Sequence, residues 1–291
     1  VSEEPDPFWK RVANIFTLTE EEDPDYIMPP EEKDRFDVLI LGVRGEDDPD
    51  ADVSGALLTD TIIVFSFDKT SRKASVISLP RDLYVKTDKR RAGKINSVYE
   101  NKDLKYTKEL VSKITGVYID KGVVIDFSSF EKVVDAADGI DITLPSPFEE
   151  KEQWGYGFYL PAGENHLDGK TALYYARSRF SSNDFDRSKR QQEVIFALKD
   201  KLAEHSWWTD PLKTLDIITA VSSNIKTDIN IWNAKELIDL AGEFNSAGKI
   251  NRYVVSTGNL VYESHLDGAY ILLPVGDNFA ELKKLFQEIL I

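Results

Sequence analysis

The sequence predicts an α/β (α+β) fold, in which helices flank a central mixed β-sheet within a single domain. Short apolar runs rich in β-branched residues alternate along the chain with longer segments of helical periodicity. No internal repeat and no proline-rich linker divides the sequence into separate units. With 291 residues, of which 42% are hydrophobic, the chain is long enough to bury one large core.

Strands are predicted where apolar runs stop at glycine, proline or a polar turn. Residues 37–42 form a predicted buried strand that ends at Gly42. Residues 61–67 and 74–79 predict a hairpin, because the polar turn 68–71 separates two β-branched runs. The other predictions are strands at residues 122–127, 140–144, 252–256 and 269–273, and a hairpin at residues 154–160.

Helices are predicted from amphipathic periodicity and from capping residues. Ser128 or Ser129 is expected to cap the helix that carries Phe130, and Gly139 is expected to end it. The other predicted helices cover residues 105–114, 171–177, 186–203, 212–221, 234–244 and 278–289.

The two parts of the chain differ in composition. Residues 1–35 are predicted to be an acidic, proline-containing lead-in that buries little apolar surface. Residues 36–291 are predicted to form one continuous domain. The chain begins with Val1 and not with methionine, so we expect either a processed product or a shortened form of the protein, with any signal or membrane anchor upstream.

Composition excludes several classes of function. The 36 basic and 51 acidic residues give a formal net charge of −15, which disfavours nucleic-acid binding. Without cysteine the chain has no disulfide, thiolate metal site or cysteine nucleophile. The three histidines are too widely separated to predict a histidine metal site. No phosphate-binding loop or nucleophile-elbow motif occurs in the sequence.

Arginines are concentrated in one short stretch of this acidic chain. Arg177, Arg179, Arg187 and Arg190 lie within fourteen residues, and Gln191 follows on the same predicted helix. Guanidinium groups match phosphate oxygens with forked donors and stay charged, so the cluster predicts an anion site. For an isolated cluster, a solvated basic face paired with neighbouring carboxylates would be the preferred interpretation.

Two further elements favour the anion site. Proline follows a strong strand in Leu79-Pro80-Arg81-Asp82, which presents Arg81 at the strand's carboxyl end, where ligands bind in α/β sheets. The alternative is that Arg81 and Asp82 only close a turn.

Asp60 begins another strand, and carboxylates beside phosphates commonly hold Mg²⁺. An acidic loop precedes that strand and carries Asp47, Asp48, Asp50 and Asp52; by itself it is more typical of a solvated turn.

Successive blocks of the sequence resemble the LytR-CpsA-Psr family. The order and spacing of these blocks agree with the family over residues 36–206, and YARSR together with DFDRSKRQQ is the most specific pair. Residues 207–291 resemble the family less distinctly and are interpreted as the C-terminal completion of the same domain. The blocks read DVLILG, LTDTIIVFSFD, ASVISLPRDLYV, GKINSVY, VVIDFSSFEKVVDAADGIDITLP, AGENHLDGKTALYYARSR and DFDRSKRQQ.

The resemblance implies an extracytoplasmic phosphotransferase tethered by an N-terminal transmembrane helix. Such enzymes transfer a glycopolymer from a polyprenyl-pyrophosphate carrier to peptidoglycan through a phosphodiester bond. We therefore expect Mg²⁺ (or Mn²⁺) as the cofactor, a location at the extracellular face of a bacterial cell membrane, and no nucleic-acid partner. We also expect a groove for the lipid tail, with residues 130–137 and 194–202 as candidate walls.

The resemblance also assigns roles to single residues. Asp60 would bind the metal and act in catalysis together with Arg81. Asp82 and Asp184 would support the arginines. The pyrophosphate would be bound or organised by Arg81, Arg177, Arg179, Arg187, Arg190 and Gln191.

One position departs from the family pattern. The family commonly has aspartate two residues after the glycine of the first strand, whereas Gly42 is followed here by Val43 and Arg44. Asp60 is then expected to hold the metal alone or with a carboxylate recruited from the acidic loop, such as Asp47. Arg44 is a candidate for an additional phosphate contact.

Two other functions remain open at this point. Water could replace the glycan acceptor, which would make the protein a polyprenyl-pyrophosphate phosphatase. Alternatively, the chain could be a non-catalytic regulator of the cell envelope. Its acidic surface and its lack of a helix-turn-helix pattern argue against DNA binding in that case.

Overall fold

The computed structural model describes residues 24–48, 51, 55–88, 91–151, 153, 155–179, 183–204, 225–229 and 250–291. Its strands are β1 (Arg35–Val43), β2 (Thr59–Asp68), β3 (Ala74–Ser78), β4 (Tyr84–Asp88), β5 (Arg91–Lys94), β6 (Lys121–Ile125), β7 (Ile140–Leu144), β8 (Phe148–Glu150), β9 (Phe158–Leu160), β10 (Gly163–Leu167), β11 (Lys226–Thr227), β12 (Ile250–Val254), β13 (Val261–Leu266) and β14 (Ala269–Pro274). Its helices are α1 (Val98–Asn101), α2 (Leu104–Thr115), α3 (Phe127–Ala136), α4 (Gly169–Arg177), α5 (Asp184–Glu204) and α6 (Ala280–Glu288).

A six-stranded mixed sheet forms the centre of the fold, in the order β11-β6-β1-β2-β3-β12. Strands β1, β2 and β3 are antiparallel in succession, whereas β6 runs parallel to β1 and β12 runs parallel to β3. The predicted hairpin and the predicted fold class, a central mixed sheet flanked by helices, are both confirmed.

Alternating side chains of β1 and β2 face two different helix layers. Leu39 and Leu41 pack in a core with side chains of α2 and α6, including Ile114 and Phe286. On the opposite face, Ile63 packs with side chains of α5 such as Phe196. This arrangement follows from the two-residue period of a strand, which buries both faces of a sheet covered by helices.

Some local predictions differ from the structure. Asp126 caps α3 by accepting a hydrogen bond from Ser129 N, because the helix begins earlier than the serines suggest. The predicted hairpin at residues 154–160 contributes only β9, whose partner β8 precedes the glycines. The pair β4–β5 and the strands β10 and β13 were not predicted, since they lack long apolar runs. The predicted helices at residues 212–221 and 234–244 lie outside the described residues.

The last part of the predicted lead-in packs on the domain, and residues 1–23 lie outside the described part. Tyr26 packs edge-to-face on Phe279 at 5.8 Å, and its hydroxyl accepts a hydrogen bond from Lys86 N. None of the helices in the described ranges has the length and apolar character needed to cross a bilayer.

A buried charge cluster connects the start of β1 to the last helix. Arg35 Nε lies 2.6 Å from Asp37 Oδ2, and Arg35 Nη1 donates to Phe286 O at 2.8 Å. Ser66 Oγ donates a short hydrogen bond to Asp37. Arg35 and Asp37 are only 8% and 1% exposed, so each charge is stabilised by the other and not by water.

The carboxyl group of Asp120 adjoins this cluster and makes stability depend on pH. Burial raises the pKa of Asp120 to about 6, and Asp37 and Glu31 add to the rise. The unfolded-state value is about 4. Between these values the folded protein binds more protons than the unfolded chain, so this contribution to stability is lost as pH rises through 6.

We therefore expect Asp120→Asn to leave stability unchanged at pH 4 and to increase it at pH 7. Asparagine can still accept the hydrogen bond from Asp37 N, which is 2.8 Å long, without carrying a buried charge. Urea unfolding at the two pH values measures the difference. Parallel pH profiles for the variant and the wild type would contradict the assignment.

Candidate active site

A cavity of about 240 Å³ opens at one end of the central sheet, between the sheet and helices α3, α4 and α5. Arg44, Arg81, Arg177, Arg179, Arg187 and Gln191 lie at its polar part, together with Asp60. Its apolar lining includes Ile40, Leu58, Ile125, Phe130, Leu173, Val194 and Ile195. The cavity thus combines cationic and apolar surfaces.

Strand direction explains why distant residues meet here. Because β1 and β3 are each antiparallel to β2, and β6 is parallel to β1, the carboxyl ends of β1, β3 and β6 lie at one edge. Arg44, Arg81 and Asp126 follow these three ends, and Asp60 begins β2 at the same edge. The structure therefore has Arg81 beyond the carboxyl end of a strand, as predicted.

Four charged residues form a closed set of contacts at the edge of the cavity. Arg81 Nη1 lies 2.6 Å from Asp60 Oδ1, and Arg81 Nε lies 3.6 Å from Asp184 Oδ1. Arg187 Nη2 lies 2.9 Å from Asp184 and 3.1 Å from the backbone oxygen of Asp60. These contacts join the start of β2, the end of β3 and the first turn of α5.

Asp82 lies on the other side of Arg81. Its Oδ2 is 3.7 Å from Arg81 Nε, and its Oδ1 is 2.6 Å from Lys94 Nζ. The structure thus places Asp82 and Asp184 as neighbours of Arg81, as their predicted supporting role requires.

The electrostatics of the site favour a bound anion. Burial alone would raise the pKa of Asp60, but the nearby Arg187, Arg81 and Arg179 lower it below its ordinary value. Asp60 is therefore ionised at neutral pH. The Nε atoms of Arg81 and Arg187 are buried and have no hydrogen-bond partner. The guanidinium groups of Arg81, Arg179 and Arg187 line the cavity, and their forked N–H donors match the oxygens of a phosphate.

The aromatic ring of Phe127 packs near two of the cationic side chains. The Arg177 guanidinium lies 3.9 Å from the centre of the Phe127 ring, and that of Arg44 lies 5.8 Å from it. Arg44 also pairs with Asp48 at 2.9 Å. Gly45 has φ +97°, and a side chain there would meet Asp126 Cβ at 2.9 Å, so glycine allows the chain to turn close to α3.

Arg190 is not brought to the cavity with the other predicted ligands. Its Nε donates to Tyr175 O at 3.1 Å, Nη2 donates a short hydrogen bond to Ser178 O, and its guanidinium lies 5.1 Å from the Phe148 ring centre. Helix geometry explains the difference: relative to Arg187, Gln191 is rotated by roughly 40° in one direction and Arg190 by roughly 60° in the other. Gln191 consequently lines the cavity, whereas Arg190 packs against the end of α4.

Asp60 is the predicted metal ligand that lies in the cavity. Asp47 is exposed and does not line it, Asp48 pairs with Arg44, and Asp50 and Asp52 lie outside the described residues. No group of three metal-binding side chains exists among the residues described. A Mg²⁺ ion held by Asp60 would need its other ligands from water and from substrate phosphate, whose negative charge would also offset the neighbouring arginines.

Several residues that line the cavity were not predicted as site residues, among them Asp126, Phe127 and Gln153. The predicted strand at residues 122–127 included Asp126 and Phe127, whereas β6 ends at Ile125 and Asp126 caps the following helix. Gln153 lies between β8 and β9 and lines the cavity. Its surroundings in the sequence carry no motif that would have identified it.

Comparisons with known proteins add independent findings. The sequence model of the LytR_cpsA_psr family matches residues 10–288. The polyisoprenyl-teichoic acid--peptidoglycan teichoic acid transferase TagV of Bacillus subtilis (strain 168) is 31% identical over 263 residues, which cover 88% of this chain and 65% of the relative. The chain thus spans slightly less than two thirds of that relative's length.

Solved structures share the fold. The crystal structure of B. subtilis TagV superposes with a TM-score of 0.69 at 27% identity, over 89% of this chain and 98% of that one. The LytR-CPS2A-psr family protein YwtF (TagT) with bound octaprenyl pyrophosphate lipid superposes with a TM-score of 0.65 at 23% identity, over 93% of each chain.

Proposed function

The chain belongs to the LytR_cpsA_psr family, and from that premise we propose that it is a phosphotransferase of the bacterial cell envelope. It transfers a glycopolymer from a polyprenyl-pyrophosphate carrier to peptidoglycan through a phosphodiester bond. We place this activity at the extracellular face of the membrane, where the carrier's headgroup and the peptidoglycan acceptor meet. The TagV relative is named for such a transfer of teichoic acid.

The observation that carries the proposal is the joint cationic and apolar character of one cavity. Arg81, Arg177, Arg179 and Arg187 supply forked donors for the oxygens of a pyrophosphate. Each buried methylene of a lipid tail would contribute about 0.8 kcal/mol. A carrier with both a pyrophosphate and a hydrocarbon tail uses both surfaces, whereas a soluble phosphate ester would use only one.

The apolar surface supports the predicted walls of the lipid groove. Phe130 of α3 and Val194 and Ile195 of α5 line it opposite Ile40 of β1. A volume of about 240 Å³ is far smaller than a long polyprenyl chain. We therefore propose that the part of the tail next to the pyrophosphate enters the cavity and that the remainder extends beyond it.

The reaction proposed is displacement at phosphorus. An acceptor hydroxyl attacks the phosphorus that carries the glycopolymer, and the bond from this phosphorus to the bridging oxygen breaks. Lipid phosphate then leaves with the electron pair of that bond, and the proton of the acceptor hydroxyl passes to this phosphate or to solvent water. Fixed guanidinium groups stabilise the negative charge that develops on the bridging and equatorial oxygens, because their orientation does not have to change during the reaction.

In this scheme, the role of Asp60 is to hold other groups of the site in place, first of all Arg81. A carboxyl group whose pKa lies below its ordinary value is a weak base, so we assign Asp60 to fixing Arg81 and not to accepting the proton. When Mg²⁺ is bound, it would neutralise charge on the phosphate oxygens, with Asp60 as its protein ligand.

The metal assignment predicts that magnesium affinity depends on the substrate. With a single carboxylate, we expect no measurable Mg²⁺ binding to the free protein and clear binding in the presence of a short-chain prenyl pyrophosphate. Asp60→Asn should abolish the ligand-dependent part. Calorimetric titration measures both, and Mn²⁺ can serve as a spectroscopic probe. Tight binding without the ligand would show that residues of the acidic loop complete a preformed site.

The proposed function is tested by analysing products. The protein is incubated with a lipid-linked glycopolymer, with and without peptidoglycan fragments, and we expect phosphodiester-linked product only when the acceptor is present. Equal release of lipid phosphate without acceptor would identify a phosphatase. Binding of the carrier without any turnover would favour a regulator.

A further inference from the structure

We propose that Gln153, together with Arg190, is a positioning residue that holds the backbone of residues 177–179 in the orientation needed to direct Arg177 and Arg179 at the anion. This inference deepens the proposed function and rests on it for the identity of the anion. Its basis is a pattern of side-chain-to-backbone hydrogen bonds at the carboxyl end of α4.

The last carbonyl groups of α4 need hydrogen-bond partners from outside the helix. The last carbonyl groups of a helix have no partners within the helix and are usually satisfied by a glycine-containing turn. Here the cap is Ser178, with φ −58° and ψ 134°, so the chain leaves the helix in an extended conformation. Ser178 donates back into the helix, from its N and its Oγ to Tyr174 O.

Gln153 provides hydrogen-bond partners for the backbone on both sides of this cap. Its Nε2 donates to Arg177 O at 3.1 Å, and its Oε1 accepts from Arg179 N at 2.7 Å. One planar amide thus contacts the two arginines that flank the cap, and it does so through both of its polar atoms. The pair of bonds fixes the spacing and direction of two successive cationic side chains.

Arg190 satisfies other carbonyl groups of the same segment. It donates from α5 to Tyr175 O and to Ser178 O, and it is 7% exposed. The segment is consequently fixed by β8–β9 through Gln153 and by α5 through Arg190. Donors that are fixed before the anion arrives stabilise transition-state charge without reorganisation, which is the functional reason for such a double attachment.

The experiment compares Gln153→Leu with the wild type in steady-state kinetics and in binding of a short-chain prenyl pyrophosphate. Gln153→Leu removes both hydrogen bonds, and we expect kcat and kcat/KM to fall together by about tenfold. The midpoint of thermal unfolding should fall by a few degrees at most, because the two lost hydrogen bonds lie at the end of one helix and outside the hydrophobic core. Glu149→Gln, an exposed change on the same hairpin, is the control and should behave as the wild type.

A double-mutant cycle separates positioning from other roles. In an Arg179→Ala background, Gln153→Leu should cost clearly less than in the wild type, because one of the side chains that it positions is absent. A rise in KM alone would identify Gln153 as a direct substrate contact, and fully additive effects would identify a general structural role. Either result overturns the proposal. A wild-type protein that neither binds the prenyl pyrophosphate nor turns over would instead overturn the proposed function.

Discussion

Arg81→Ala should lower the rate of glycopolymer transfer by about a hundredfold or more, with little loss of stability. Arg81 reaches the cavity from the end of β3 and contacts Asp60 and Asp184. Its guanidinium group lines the cavity, where it can stabilise charge that develops on the substrate. Removing a single preorganised donor to such charge commonly costs two to three orders of magnitude in kcat, that is roughly 10²–10³.

The comparison variants make this result specific. Arg81→Lys keeps the charge but loses the forked donors, so we expect an intermediate rate. Arg72→Ala removes an exposed arginine in the turn between β2 and β3, at the far end of β2 from Asp60, and should leave the rate unchanged. A folded Arg81→Ala protein with the wild-type rate would remove Arg81 from the mechanism.

Arg35→Met should reduce the free energy of unfolding by about 3–5 kcal/mol, the cost of leaving one partner of a buried ion pair unpaired. Arg35 contacts Asp37, Ser66 and the carbonyl oxygen of Phe286 within the core. Burial already raises the pKa of Asp37, and its attraction to Arg35 opposes that rise. Without Arg35, the Asp37 carboxyl is expected to take up a proton, and the Phe286 carbonyl loses its donor.

Chemical denaturation measures this loss, with the exposed Arg72→Met as the control. The double variant Arg35→Met/Asp37→Leu should recover much of the stability, because replacing both partners by apolar groups removes the uncompensated charge. A loss of less than about 1 kcal/mol in the single variant would contradict a cooperative role for the buried cluster.

The site could be predicted from the sequence where its position follows from strand ends. Arg81 stands after a proline that terminates β3, and Asp60 stands at the head of β2, so both belong to the same sheet edge once the strands are recognised. Strands with long β-branched runs can be recognised from their composition. The polar strands β4 and β10 cannot, because they pair at the periphery and carry little apolar surface.

Other features depend on how the helices and strands pack against one another, which the spacing of residues in the sequence does not show. Arg187 and Arg190 are both consistent with one helix face, yet only Arg187 reaches the cavity, since the end of α4 occupies the space beside Arg190. Gln153 acquires its partners from a helix that begins sixteen residues later, at Gly169. Neither relationship can be read from a single sequence without knowing how the elements pack.

Contacts between distant parts of the chain affect how fast the protein folds. Ile250 pairs with Ala74, and Arg35 bonds to a carbonyl 251 residues further along the chain. Contacts of such high sequence separation require large loops to close before any stabilisation is gained, which slows folding. In a newly made chain, β1 therefore keeps an apolar face uncovered until α6 has been synthesised and can pack on it. We expect refolding to be slow, and loss of α6 to arrest it at a state that aggregates.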